Sequence, residues 1–254
     1  MITATRFLLK SLMVVLAGSL VQFPCAGQTC DRRETLLTYS GDLRGVTALA
    51  HSPDGSTLAV GTAVMLSSGT LRTRYSGGTV VLMDLATSDI RTVFEVASSD
   101  GVTALAFSPD GRRLAIGVTR MLGDGTLGTR YLSGTVYLYD IEQNVWVTAY
   151  SETINNPGVT SLSFSPLGSH LAIGISRVRS DGVAGTRFVG ASVVTIRYPL
   201  ADVNGDLCTD DSDLAAVLLA FGQSGINLPE DVNCSGTVDD ADLALLLFDF
   251  GTGC

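Results

Sequence analysis

Apolar and polar residues alternate with the two-residue period of a half-buried strand at residues 46–50, and the alternation returns at 102–106 and 159–163. Each stretch runs into a turn: Ser52-Pro-Asp-Gly55, Ser108-Pro-Asp-Gly111 and Ser165-Pro-Leu-Gly168. Proline presets one turn position and glycine tolerates the left-handed one, so these tetrads predict tight reversals. In the first unit, apolar runs at 58–61 and 79–83 predict a second and a third strand, the latter ended by Asp84, and 90–96 predicts a less regular fourth. The pattern changes at Tyr198-Pro199. Beyond it, residues 214–221 and 243–250 are apolar stretches that each stop at a glycine, Gly222 and Gly251, the favoured residue after a helix. Two short helices are predicted there. None is predicted just before Asp202, because a residue preceding proline avoids helical backbone.

The strand pattern is a repeat. Gly45-Val-Thr-Ala-Leu-Ala-His-Ser-Pro-Asp-Gly55 returns at Gly101 to Gly111 and again at Gly158 to Gly168, after 56 and then 57 residues. Periods of this size signal propellers or solenoids. Each unit carries an insert between its second and third strands, at residues 62–78, 118–134 and 175–191, with Ser68-Gly69, Asp124-Gly125 or Asp181-Gly182 as its turn. The inserts are expected to be long hairpins that extend each sheet. The wording Val-x-x-Leu-x-Phe-Ser-Pro-Asp-Gly-x-x-Leu-Ala-x-Gly, followed by Gly-x-Val-x-Leu-x-Asp, resembles a WD40-type blade over residues 35–198. Met83-Asp84 and Tyr139-Asp140 stand where that family usually has Trp-Asp. The resemblance implies an all-β, propeller-like body at 28–200, built of three four-stranded blades near 45–100, 101–157 and 158–198. The third unit lacks a fourth strand, and residues 35–39 are expected to supply it and so remove two sheet edges. Propellers usually have four to eight blades. A homodimer that completes a larger ring is therefore the alternative assembly.

Ahead of each predicted helix lies a twelve-residue loop with oxygen-bearing side chains at positions 1, 3, 5, 9 and 12. In the first these are Asp202, Asn204, Asp206, Asp210 and Asp213; in the second, Asp231, Asn233, Ser235, Asp239 and Asp242. Position 7 offers its backbone carbonyl, from Cys208 and Thr237. Ca²⁺ is a hard cation that takes six to eight oxygens, and this spacing wraps it. Two matched loops predict two calcium ions. A loop running into a helix, made twice, is a paired half EF-hand, and it resembles the type I dockerin module of exported bacterial proteins over residues 201–254. That resemblance implies a small α-helical calcium module that docks on a cohesin-like partner. The chain departs from the family at Leu207, where loop position 6 is usually glycine, and at Ser235, where position 5 is usually aspartate. Leu218 and Leu219 replace the polar or basic residues that usually face cohesin. The calcium chemistry thus carries over residue by residue, and the cohesin contact does so less well.

Charge follows the same division. Of a formal net charge of −9, residues 201–254 hold eleven acids and no base, which leaves 28–200 near neutral. A neutral body with an acidic tail argues against nucleic acid and anionic membrane surfaces. Arg6 and Lys10, the apolar stretch 11–23 and the small residues Ala26 and Gly27 read as a secretory signal over residues 1–27. The expected location is secreted or cell-surface, where weak calcium sites fill. Cys25 leaves with the signal, and the remaining Cys30, Cys208, Cys234 and Cys254 allow three pairings. Two half EF-hands paired about a pseudo-twofold axis, as the dockerin resemblance implies, bring the end of the second helix to the first loop. Cys208–Cys254 is the disulfide expected from that pairing.

No catalytic constellation emerges. His51 and His170 are the only histidines, and His51 stands where the other units have Phe107 and Phe164. Glycoside hydrolysis needs two carboxylates across one cleft, whereas Asp54, Asp110, Asp124 and Asp181 sit in turns. The body's ligand candidates are Arg74-Tyr75, Arg130-Tyr131 and Arg187-Phe188, since an arginine beside a ring can bind a sugar or an anion. Duplication alone would also copy such pairs. The expectation is an exported, non-catalytic interaction or scaffold protein, with the propeller face as platform and the calcium module as attachment. The alternative is a carbohydrate-active propeller enzyme or glycan-binding protein delivered by the module, because dockerins commonly accompany polysaccharide catabolism.

Overall fold

The structure, a computed structural model, describes residues 13–16, 19–22, 34–40, 43–68, 71–97, 99–124, 128–180 and 186–254. The expected signal cleavage site, Cys30 and the turn residues Gly69, Gly125, Asp181 and Gly182 lie outside the described residues. The chain forms two compact units, residues 1–38 and 39–254. In the first, β1 (Met13–Leu16) pairs antiparallel with β2 (Ser19–Gln22). Among the described residues no helix is long and apolar enough to cross a membrane.

The second unit begins with three antiparallel blades. The first contains β3 (Arg44–His51), β4 (Thr57–Ser68), β5 (Leu71–Tyr75), β6 (Gly78–Asp84) and β7 (Ile90–Val96), in the order β3-β4-β6-β7 with β5 beside the far end of β4. The next has β8 (Asp100–Phe107), β9 (Arg113–Asp124), β10 (Gly128–Asp140) and β11 (Val145–Glu152), in sequence order. The last has only β12 (Pro157–Phe164), β13 (His170–Ser180) and β14 (Thr186–Arg197). In the second and third blades the inserts are continuations of the long strands, with register shifts at Tyr131/Ser133 and Arg177/Val178 that absorb the local twist. Residues 34–40 form no strand, so the expected closing strand at 35–39 is absent. The physical reason lies in what a fourth strand buries. Phe94 of β7 packs against the second blade, whereas among the described residues no further blade lies beside β14 to receive such a residue.

Three repeated devices join one blade to the next. The apolar face of blade one, with Ala59, Val80, Leu82 and Phe94, meets Val102, Leu105, Leu114 and Ile116 of blade two. Blade two meets blade three in the same way, through Ala104, Val136 and Leu138 against Val159, Leu171 and Ile173. Thr47 donates its hydroxyl to the Val102 carbonyl at 2.5 Å, and Thr103 does so to Val159 at 2.6 Å. The Tyr75 ring covers Gly101 so closely that an added Cβ would lie 2.9 Å from the ring, and Tyr131 covers Gly158 in the same manner. At the third blade all three devices stop. Thr160 donates within its own sheet, to Gly174. Phe188, in the place of those tyrosines, is 72% exposed. Ser161, Ser163 and Thr195 are exposed where the second blade tucks in Ala104, Ala106 and Leu138.

Beyond β14 come α1 (Asp211–Ala220) and α2 (Asp240–Asp249). Each starts with a capping box: Asp210 with Asp213, and Asp239 with Asp242, satisfy the free amides of the first turn. Val217 and Ala220 of α1 pack with Leu246 of α2, Ala201 and Val238. The pair has a pseudo-twofold relation in its hydrogen bonds. Gly222 after α1 donates to Val238 ahead of α2, and Gly251 after α2 donates to Thr209 ahead of α1. Cys254 lies at the same end and is bonded to Cys208, with Cα atoms 4.6 Å apart. Cys234 is an exposed free thiol.

Candidate functional site

The two acidic loops share one hydrogen-bond scaffold. Asp202 accepts from the amides of Asp206 and Leu207, and Asp231 from those of Ser235 and Gly236. Asn204 accepts from Asp206, and Asn233 from Ser235. Asp213 accepts from Asn204 and Asp210, and Asp242 from Asn233 and Asp239. These bonds fix the side chains of positions 1, 3 and 12 against the turning backbone of each loop. In the first loop Asp202, Asp206 and Asp213 each bring a carboxylate oxygen within 4.8 Å of the others. Three like charges so close repel unless a cation lies between them, so this donor set fits a hard divalent ion. The second loop keeps Asp231, Asn233 and Asp242, but Ser235 turns its hydroxyl onto the Thr237 carbonyl at 3.0 Å. It fits the same ion with one charge fewer. Cys208 and Thr237 are placed at position 7 with their side chains turned to the disulfide and to Ser224 respectively.

Sequence reasoning missed how this part seats on the blades. Arg113, at the start of β9, is fully buried and paired with Asp140. It donates to the Phe248 carbonyl at the end of α2, and its guanidinium lies 4.4 Å from the Phe248 ring centroid. Arg112 donates to the Gly251 carbonyl at 2.5 Å. Asp249, also fully buried, accepts from the amides of Leu200 and Ala201, and burial pushes its carboxyl up to about 6. The available signal was a mismatch between repeats: the position of Arg113 is Thr57 in the first unit and His170 in the third.

Among the described residues, the cleft between the first and second blades has no such occupant. It has a volume of about 470 Å³ and is lined by Leu82, Ile90, Phe107 and Ile141, with Asp54, Asp84, Asp89 and Asp110 around them. Hydrogen bonds from the Ser52 hydroxyl and the Ser56 amide hold Asp54 at about 2, and the amides of Thr87 and Ala86 hold Asp84 below the usual carboxylate range. A glycosidase acid needs the opposite shift. Asp54 and Asp84 are therefore held ionised rather than poised to give a proton.

The arginine–aromatic pairs are not equivalent. Tyr75 packs with Ala63 and Met121, and Tyr131 packs against the same group. Both rings serve the joints between blades. Phe188 alone presents its ring to solvent, beside an exposed Arg187, whereas Arg74 and Arg130 are half-buried. His51 and His170 are exposed on strands, and His170 contacts the Ser169 hydroxyl.

Residues 33–72 and 89–128 match the WD domain, G-beta repeat family. Two units therefore carry WD40-type repeats, consistent with blades of a β-propeller. No curated protein matches the chain. Among solved structures, a mitotic checkpoint complex is similar at 18% identity and a TM-score of 0.35, over 72% of this chain and 48% of that one. Sqt1 of Saccharomyces cerevisiae is similar at 11% and 0.33, over 63% and 38%. The β-propeller domain of the Trilobed protease from Pyrococcus furiosus, which has an open velcro topology, is similar at 13% and 0.34, over 60% and 43%. The chain thus spans about half or less of each of these.

Proposed function

We propose that this is an exported, non-catalytic interaction protein, in which a WD40-type body is the binding platform and residues 201–254 form a dockerin-like attachment module held by two calcium ions. The observation that carries the reading is the duplicated loop scaffold, with matching hydrogen bonds at matching positions and carboxylates gathered in the first loop. Asp202, Asn204, Asp206, Asp210 and Asp213, with the Cys208 carbonyl, would hold one ion. Asp231, Asn233, Ser235, Asp239 and Asp242, with the Thr237 carbonyl, would hold the other. Bound calcium supplies charge compensation that keeps the loops closed; the chain supplies the oxygens and the caps of both helices. Attachment would use α1. Leu218 and Leu219 are exposed, whereas Phe248, the pseudo-twofold mate of Leu219, is committed to the body. A cohesin-like protein is the partner class implied.

The test is a calcium titration of the chelator-stripped full chain by calorimetry. Two binding events are expected; Asp202→Asn should abolish one and Asp231→Asn the other. At a hundredfold excess over Kd, each site should add about 3 kcal/mol of stability. No heat, together with an unchanged melting temperature, would sink the calcium reading. Hydrolysis of any glycan in a screen of plant and microbial polysaccharides would overturn the non-catalytic one.

A further inference from the structure

The two clefts between blades are built from matching residues. Ser52, Pro53, Leu82, Asp84 and Phe107 in the first correspond to Ser108, Pro109, Leu138, Asp140 and Phe164 in the second. The apolar floor of the second is covered by the chain itself, which leaves a smaller pocket of about 350 Å³ beside Pro109 and Leu167. Phe248 enters that floor, and Arg112 and Arg113 hold the carbonyls at the end of α2. In the first, Ser56 and Thr57 replace those two arginines. The first cleft is lined by the carboxylates Asp54, Asp84, Asp89 and Asp110 and, among the described residues, by one base, Arg91, which reaches across to the Ile141 carbonyl at 3.1 Å. Among the described residues, no guanidinium stands at Asp84 as Arg113 does at its counterpart Asp140.

We propose that the first cleft is a docking site for an extended segment of a partner protein that carries an arginine flanked by apolar side chains. The incoming guanidinium takes the place that Arg113 fills in the second cleft and pairs with Asp84. The flanking apolar groups cover Leu82, Ile90, Phe107 and Ile141, as Phe248 covers the equivalent floor. Charge sets the specificity: the second cleft takes a helix end rich in carbonyls, and the first repels one. Desolvated pairing of this kind weighs heavily at an interface centre. The proposal gives the binding platform suggested above a place and a partner chemistry. It is independent of calcium, so failure here leaves the two-site titration intact.

A library of random twelve-residue peptides displayed on phage, selected on the full chain, is the probe. Arginine between apolar residues should be enriched, and peptides made from the selected sequences should bind about tenfold tighter than their Arg→Ala and Arg→Glu forms. Asp84→Asn, which keeps the turn's hydrogen-bond acceptor, should weaken them about tenfold. Thr57→Arg, which installs an internal guanidinium at the Arg113 position, should abolish binding while circular dichroism and calcium uptake stay unchanged. Selection of acidic or uncharged sequences, or no enrichment, overturns the proposal. Binding that survives both Asp84→Asn and Thr57→Arg overturns it equally.

Discussion

Leu207 holds φ at 73°, in the left-handed region, at the loop position where the second loop has Gly236 at 93°. A side chain there meets the following carbonyl, at a cost of about 1–2 kcal/mol. Glycine would remove that cost but lose more freedom on folding. Leu207→Gly is expected to raise stability by roughly 0.5–1 kcal/mol and to tighten calcium at the first loop, as read by melting with and without calcium. Gly158 is the opposite case. A Cβ there runs into the Tyr131 ring, and a packed joint does not yield readily. Gly158→Ala should lower stability by about 1–3 kcal/mol in urea unfolding, and Tyr131→Leu in the same chain should restore part of it. The repeated glycine was legible in the sequence, but its reason was not, because the ring that covers it comes from the preceding unit. The strain at Leu207 could be read directly, since one loop displays what the other lacks.

At the scale of elements, the seat of α2 is a buried ionic contact with a pH dependence. Asp249 titrates near 6 because burial outweighs its two backbone hydrogen bonds and the nearby Arg113, and Asp110 adds to the rise. Its value in the unfolded chain is near 3.8. The folded state thus holds a proton that the unfolded state has released between those values. Its contribution to stability is complete below about pH 4 and is lost as pH rises through about 6. Asp249→Asn cannot titrate, so it should flatten the fall by about 2–3 kcal/mol in urea unfolding followed from pH 4 to 7. An unchanged slope would show that Asp249 is not the group responsible. The alternation of residues made the strands legible, and the twelve-residue loops located both helices. Nothing periodic marks Arg113 or Asp249, because a single contact between distant elements leaves no pattern in either. The closing strand at 35–39 was inferred from an edge needing a partner, but an edge with no further blade behind it offers such a strand little to bury.

Across the whole molecule, the blade array has a direction. The first two blades present apolar residues to their successors, whereas the third turns Ser161, Ser163 and Thr195 to solvent beside the exposed Val193 and Phe188. Terminal repeats with a polar outer face end an array in contact with water. Val46 and Leu49 at the other end are exposed and apolar, so joining the two ends would set them partly against the hydroxyls of Ser161, Ser163 and Thr195. Light scattering is expected to give the mass of a single chain at all accessible concentrations, and a concentration-dependent doubling would favour the paired ring. The disulfide between Cys208 and Cys254 has a mechanical consequence. Forty-six steps of chain separate its ends, which at roughly 3.4 Å each would pay out about 160 Å under tension. With the bond closed, a pull between the body and Cys254 bypasses that length. The load passes through the short stretch from Tyr198 to Cys208, so a pull at Cys254 meets a short tether in oxidising surroundings and a long one once the bond is reduced.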